Sequence, residues 1–181
     1  MTKIEHIEAA SPDEMHDVGV RLGRVLAAGD LLILTGPLGA GKTTLTRGIG
    51  EGLGVRGPVQ SPTFVIARTH PSLVGGAPLV HVDAYRLANS DELEDLDLDF
   101  EASVVVAEWG AGVLEPTGSW IEIEIERPTG AGADPDPDAD RGDEAAEPTG
   151  AAAEDWSEAL VEARRMTLTG HGPRWAGGIL S

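Results

Sequence analysis

One eight-residue segment, GPLGAGKT at positions 36–43, limits the folds open to this chain more than any other stretch. It follows a short apolar run at residues 31–34 and precedes a segment with helical spacing. The segment matches G-x-x-x-x-G-K-[ST], a pattern in which backbone amides and a helix N-terminus surround phosphate oxygens. It therefore predicts a phosphate-binding loop, or P-loop, between a buried strand and a helix.

Each residue type in this loop has a physical task. Glycines let backbone amides point inward at phosphate, the lysine bridges the β- and γ-phosphates, and the threonine hydroxyl holds Mg²⁺. The sequence contains only two lysines, Lys3 and Lys42. The presence of one of them in this loop indicates that the position requires a compact ammonium rather than the guanidinium of an arginine. The alternative is a glycine-rich turn that caps a helix. The residues expected to bind the nucleotide through this segment are Gly36, Leu38, Gly39, Ala40, Gly41, Lys42, Thr43 and Thr44.

The first 110 residues alternate between strand and helix patterns. Ser11-Pro12-Asp13-Glu14 has the residues of a helix N-terminus, and apolar positions follow at helical spacing. A second helix is predicted from near Gly41 to residues 50–54. The strand candidates are residues 3–8, 31–34, 63–68, 79–83 and 104–108. This alternation predicts an α/β fold with a P-loop NTPase-like, mainly parallel sheet flanked by helices.

Two of these strands end in a carboxylate: LVHVD ends at Asp83 and VVVAE ends at Glu108. Because the carboxyl ends of parallel strands meet at one edge of a sheet, both side chains are expected beside the P-loop. Both are candidates for catalysis and metal binding, together with Thr43 as a metal ligand. The sequence leaves open which carboxylate binds metal and which orients water. His81, on the same strand face as Asp83, is expected to be a packed, hydrogen-bonded histidine.

Two further residues are candidates for the site. Thr63, in Ser61-Pro62-Thr63, follows the P-loop helix, where nucleotide-sensing switch segments lie in many P-loop proteins. An ordinary turn with proline at a strand entry explains the same residues equally well. Trp109 directly follows Glu108, and its ring is a candidate for stacking on a base.

The last third of the chain has a different composition. Residues 120–126, WIEIEIE, alternate as a half-buried strand does, and residues 165–169 repeat this briefly. Between them, residues 131–158 contain ten acidic residues and one basic residue, half of the chain's net charge of −18. We expect an antiparallel C-terminal hairpin whose connection is expanded by an acidic, disordered insertion at 128–158. The whole chain, 1–181, is expected to be a single domain.

Charge and hydropathy exclude several classes of function. A net charge of −18 argues against broad electrostatic binding of nucleic acid or anionic lipid, so any RNA connection has to be local or indirect. No apolar run approaches the roughly 18 residues of a membrane span, and the polar start lacks a signal-peptide pattern. The chain has no cysteine and therefore no thiolate chemistry. A cytoplasmic protein without membrane contact is expected.

The ordered elements GPLGAGKTTLTRGIGEGLG, SPTF, HVDAYRL and VVVAEWG resemble those of the TsaE (YjeE) family. The resemblance covers roughly residues 4–127 and the final predicted strand. The resemblance implies a Mg²⁺-dependent ATPase in bacterial tRNA threonylcarbamoyladenosine synthesis. It also implies accessory work on the TsaB–TsaD heterodimer, which modifies adenosine 37 of tRNA. The tRNA would then be reached only indirectly, through that complex.

The resemblance also assigns roles to six matched positions. Lys42 and Thr43 would bind phosphate and Mg²⁺, and Thr63 would belong to a switch-like element. Asp83 would belong to the metal and water site, and Glu108 would be required for hydrolysis. Trp109 would lie beside the nucleotide. Beyond Lys42, only Arg86 and Arg47 stand out as nearby cations, so hydrolysis by the isolated chain is expected to be slow.

Three other functions remain open. A small-molecule P-loop kinase would need an acceptor pocket and a basic lid, and the long insertion here is acidic. A regulatory GTPase would need an N-K-x-D segment, which the sequence lacks. A nucleotide-gated binding module would use ATP to control assembly without needing its hydrolysis.

Overall fold

The computed structural model describes residues 1–62, 65–88, 91–92, 95–112, 114, 116, 118–127 and 162–180. Within these ranges lie a seven-stranded sheet and two α-helices longer than ten residues. The element bounds are β1 Thr2–Ala9, α1 Pro12–Val25, β2 Leu31–Thr35, α2 Lys42–Leu53, β3 Ala67–His70, β4 Leu79–Asp83, β5 Val104–Glu108, β6 Trp120–Glu126 and β7 Arg164–His171. The predicted insertion at 128–158 and the candidate Thr63 both lie outside the described residues.

The strand order in the sheet is β1-β7-β6-β2-β5-β4-β3. The four neighbours β6, β2, β5 and β4 are parallel, so their carboxyl ends meet at one edge of the sheet. β3 and β7 run antiparallel to their neighbours. The predicted α/β class with a mainly parallel sheet is confirmed, and β2 lies at its centre with the P-loop at its carboxyl end.

The predicted C-terminal hairpin is present as the antiparallel pair β6–β7. Its register runs from Trp120 opposite His171 to Glu126 opposite Arg165. The half-buried strand predicted from WIEIEIE is confirmed, because its isoleucines are buried and the glutamates that follow them are exposed. The hairpin joins the parallel part of the sheet because β6 pairs directly with β2.

The two helices pack against each other through glycines. Gly19 and Gly23 of α1 lie against Gly48 and Gly52 of α2. A Cβ on Gly19 would collide with the backbone oxygen of Leu45 and with the Cα atom of its partner glycine. Because the helices approach more closely than any side chain permits, α1 fixes the position of α2, whose first residue is the P-loop lysine.

The sheet separates two apolar layers. On one face, the helices cover alternate residues of β5, including Val104 and Val106. On the other face, Val105 and Ala107 pack with the chain that follows β4, which includes Leu87. No helix in the ranges given above is both long and apolar enough to span a membrane.

The strand predicted at residues 63–68 was placed too early. β3 begins at Ala67, and it is antiparallel to β4. The reason is local: Ile66 has a left-handed backbone with φ of 65°, and the Ala67 amide bonds the Val65 carbonyl oxygen at 2.7 Å. A chain that turns this tightly cannot continue an extended strand through residues 65 and 66.

Candidate nucleotide-binding site

The P-loop connects the end of β2 to the first turn of α2, and its shape depends on glycine. Gly39 and Gly41 have φ of 73° and 104°, a left-handed conformation that other residues rarely adopt. A Cβ on Gly36 would contact the backbone oxygen of Ile125 at 2.8 Å. Gly41 is also the N-cap of α2, with no side-chain cap, so the amides of the first helical turn are directed toward the loop.

Lys42 is buried inside this loop, with only 4% of its surface exposed. Its Nζ atom donates to the carbonyl oxygens of Gly36 and Pro37 at 2.9 and 3.0 Å. The same ammonium lies 4.3 Å from the centroid of the Trp109 ring. Thr43, next along α2, is buried as well. The structure thus places the predicted lysine and tryptophan together at the concave side of the loop.

Trp109 has an unusual backbone. Its φ is 61°, a left-handed value uncommon for a bulky residue, and its amide donates to the Leu34 carbonyl oxygen at 2.8 Å. Its ring meets Tyr85 edge to face, with centroids 6.3 Å apart. Strained backbone of this kind persists where the surroundings hold it, and such positions are concentrated at binding sites. The strained turn aims the ring at Lys42 rather than along the strand.

The two predicted carboxylates are neighbours at the edge of the sheet. Asp83 and Glu108 are register partners at the ends of β4 and β5, and Glu108 also lies opposite Leu34 of β2. His81 is fully buried, and its Nε2 atom is 2.8 Å from the Glu108 Oε1 atom. His81 is therefore packed and hydrogen-bonded, and it holds the carboxylate of Glu108 in place.

The environment of Asp83 disfavours its ionised form. Burial raises the pKa of its carboxyl group, and the negative charge of Glu108 raises that pKa further. The backbone amide of Tyr85 and the charges of Arg86 and His81 act in the opposite direction. Arg86 Nε lies 3.4 Å from the Asp83 carboxylate. Two carboxylates held close together at the edge of the sheet would be stabilised by a cation.

We expect Asp83→Asn to stabilise the fold at neutral pH in the absence of metal and nucleotide. Because the folded-state pKa lies above the unfolded-state pKa, ionised Asp83 destabilises the fold above both values, and stability is regained as pH falls through the folded pKa. The variant should melt at a higher temperature than wild type at neutral pH, and this difference should shrink as the pH is lowered through the folded-state pKa.

Thermal unfolding of both proteins at neutral pH and over a descending series of pH values tests this expectation. Asp17→Asn, on the exposed side of α1, is the matched control and should change neither melting temperature nor its pH dependence. A lower melting temperature for Asp83→Asn at neutral pH would contradict the assignment.

The residues present fit a magnesium ion bound together with phosphate. Thr43, Asp83 and Glu108 supply hydroxyl and carboxylate oxygens, the donors that Mg²⁺ prefers. Across the described ranges, no group of three or more histidine or acidic side chains is arranged to hold a metal ion by itself. This is compatible with Mg²⁺, which usually keeps several waters and binds through one or two protein ligands plus substrate phosphates.

The remaining predicted residues occupy different places around the loop. Leu38 is at the exposed tip, with 81% of its surface accessible, while Ala40 is buried and Thr44 is half-buried in the first turn of α2. Thr63, outside the described residues, keeps its predicted role as a hypothesis. Arg47 donates from Nε to the Val59 carbonyl oxygen at 3.2 Å, so this cation is used in packing.

Two arginines of the C-terminal hairpin, which the sequence patterns did not indicate, lie against the P-loop. Arg164 Nη2 is 3.5 Å from the Gly39 carbonyl oxygen. Arg127 Nη1 lies 3.4 Å from the place that a Gly39 Cβ would occupy. They lie on either side of the acidic segment in the sequence, but only the pairing of β6 with β2 brings them to the loop. That pairing cannot be derived from local sequence.

Comparison with known proteins gives consistent matches. The family model "Threonylcarbamoyl adenosine biosynthesis protein TsaE" matches residues 9–132. The tRNA threonylcarbamoyladenosine biosynthesis protein TsaE of Streptomyces coelicolor is 67% identical over 104 residues, which are 56% of this chain and 70% of that protein. The Bacillus subtilis protein of the same name is 42% identical over 102 residues, 55% of this chain and 62% of its own length.

A protein of the same name from Mycobacterium tuberculosis is 50% identical over 107 residues. The chain spans less than two thirds of the length of the mycobacterial and Bacillus relatives, at 64% and 62%. Among solved structures, the crystal structure of Bacillus subtilis YdiB superposes with a TM-score of 0.61 and 27% identity, covering 95% of this chain and 88% of that one.

Proposed function

The chain belongs to the TsaE family of threonylcarbamoyl adenosine biosynthesis proteins, and from this premise we propose that it is a Mg²⁺-dependent ATPase that serves threonylcarbamoyladenosine modification of tRNA. The observation that carries the proposal is the buried ammonium of Lys42. It is held inside the glycine-rich loop, and it contacts the ring of Trp109, the residue after Glu108. A buried ammonium beside the N-terminal amides of a helix is suited to a polyphosphate.

In this proposal the loop binds the phosphates of ATP. Backbone amides of the loop and of the first turn of α2 surround the phosphate oxygens, and Lys42 neutralises charge on the β- and γ-phosphates. The Ala40 amide instead donates within the loop to the Pro37 carbonyl oxygen at 3.1 Å. The ring of Trp109 lies at the lysine, so we expect it to contact the nucleotide near its phosphate end. Stacking of this ring on the base remains a prediction.

Thr43 and Asp83 are the residues that we expect to hold the metal. When bound, Mg²⁺ would neutralise charge on the phosphate oxygens. This positive charge would favour the ionised form of Asp83, which burial and the Glu108 charge disfavour.

Glu108 is the residue that we assign to the attacking water. The hydrogen bond to His81 at 2.8 Å fixes the direction of its carboxylate. A carboxylate that accepts a hydrogen from the attacking water has to be oriented in this way. Water attacks the γ-phosphorus, the bond between this phosphorus and the β–γ bridging oxygen breaks, and ADP and phosphate are released. Asp83, which we assign to the metal, is the other candidate for this acceptor role.

We expect the isolated chain to hydrolyse ATP slowly and a partner to accelerate it. The two cations named from the sequence are engaged within the protein, Arg86 with Asp83 and Arg47 with Val59. An added arginine finger commonly changes such rates by factors on the order of 10³ to 10⁵. The TsaB–TsaD heterodimer is the partner that we propose, with tRNA reached through it and the cytoplasm as the location.

An ATPase assay with and without the purified heterodimer tests this function, run on wild type and on Lys42→Ala. The proposal predicts slow turnover by wild type alone, stimulation by the heterodimer, and no stimulation for the variant. Phosphorylation of a small acceptor by the isolated chain at a typical kinase rate would refute it. Equal turnover with and without the heterodimer would remove the partner from the proposal.

A further inference from the structure

We propose that Arg164 is a positioning residue that holds the P-loop from the C-terminal hairpin, an inference that depends on the proposed nucleotide-binding function. Its side chain is 1% exposed, although arginine is rarely buried this completely. The guanidinium reaches across from β7, and its Nη2 atom contacts the Gly39 carbonyl oxygen at 3.5 Å. Burying a charge is costly unless it is well paired, so this side chain needs partners where it lies.

Those partners belong to a small ionic cluster formed by Arg164, Glu162 and Arg127. Arg164 Nη1 donates to the Glu162 carbonyl oxygen at 3.0 Å and lies 3.4 Å from the Glu162 carboxylate. Arg127 Nη2 reaches the same carboxylate at 3.3 Å. Both arginines thus converge on one carboxylate, and Gly39 lies against them.

The hairpin thus supports the P-loop at two points. Gly36 is held at the backbone of Ile125, where any side chain would collide with the Ile125 oxygen. Gly39 is held at the arginine cluster, through the carbonyl contact of Arg164 and the close approach of Arg127. Since Gly39 adopts φ of 73°, its peptide orientation is an uncommon one that surrounding contacts have to fix.

This arrangement predicts which step depends on Arg164. The backbone of a P-loop surrounds mainly the α- and β-phosphates, which ATP and ADP share. Loss of the guanidinium should therefore weaken the binding of both nucleotides by a similar factor. It should leave the rate at which bound ATP is hydrolysed nearly unchanged. Glu108, by contrast, should affect that rate and not the affinity. A lysine cannot replace this planar fork, which contacts Glu162 and Gly39 at once.

The test uses Arg164→Lys and Arg164→Met in the 181-residue chain, with Arg165→Met as the matched control. Arg165 is the next residue on β7, it is exposed, and it lies 4.0 Å from Glu126. We expect Arg164→Lys, which keeps a buried cation, to raise the dissociation constants of ADP and ATP about tenfold. Its kcat with the heterodimer at saturating ATP should stay within about threefold of wild type. Arg164→Met should lose at least as much affinity, and Arg165→Met none.

Two results would overturn the inference. One is wild-type affinity for ADP in a folded Arg164→Lys variant, and the other is a fall in its kcat with unchanged affinity. If Arg164→Met does not fold, Arg164→Lys and Arg127→Met test the inference instead. Arg127 is one quarter exposed, so its replacement is better tolerated, and loss of its cation should weaken ADP binding. Failure of wild type to bind either nucleotide would instead refute the proposed function, so the two outcomes are distinguishable.

Discussion

Lys42→Ala is expected to abolish the thermal stabilisation that Mg²⁺ and ATP give to the wild-type chain. The ammonium is held in the loop by the carbonyl oxygens of Gly36 and Pro37, and it is the group that we expect to neutralise the phosphates. A ligand at 100 times its dissociation constant stabilises a protein by about 2.7 kcal/mol. For a chain of this size each kcal/mol raises the melting temperature by roughly 2–4 °C. The variant should therefore lose a shift of about 5–10 °C.

Lys3→Ala is the matched control, because Lys3 is the other lysine in the sequence and lies exposed on β1. It should keep the full ligand-induced shift. The melting temperatures of both variants without ligand show whether the fold is intact. An undiminished shift in Lys42→Ala would contradict the assignment of this lysine to the phosphates.

Glu108→Gln is expected to lower ATP turnover in the presence of the heterodimer by at least about 100-fold, with ATP affinity kept within about threefold. The amide keeps the size of the side chain and can still accept a bond from His81 through its oxygen. It has no negative charge and cannot take a proton from the attacking water. The loss should therefore appear in kcat.

Glu101→Gln is the corresponding control, because Glu101 is exposed and lies before β5. It should leave kcat unchanged. Turnover at the wild-type rate in Glu108→Gln would contradict the role given to this carboxylate. If turnover is lost but tRNA modification persists, the nucleotide-gated binding module becomes the better description of the protein.

The parts of the site that are local in sequence could be predicted. The loop at 36–43 lies between a buried strand and a helix, as the motif requires. Asp83 and Glu108 end buried strands, and the parallel pairing of β4 with β5 brings them opposite each other. Both predictions use only periodicity and the common direction of parallel strands.

The parts that depend on distant pairing could not be predicted. Arg127 and Arg164 reach Gly39 only because β6 inserts beside β2, and the sequence between them gives no indication of that strand order. The left-handed turn at Trp109 was equally hidden, since bulky residues seldom adopt it. The predicted start of β3 at residue 63 was wrong for the same reason, because the left-handed turn at Ile66 contains no glycine to indicate it.

Calorimetric titration of ATP into the wild-type chain is the most direct test of whether the loop at 36–43 binds a nucleoside triphosphate. The account predicts saturable binding at one site, tighter with Mg²⁺ than with a chelator present, since Thr43 and Asp83 are expected to hold the metal with the phosphates. Folded protein that takes up no ATP in the presence of Mg²⁺ would contradict it.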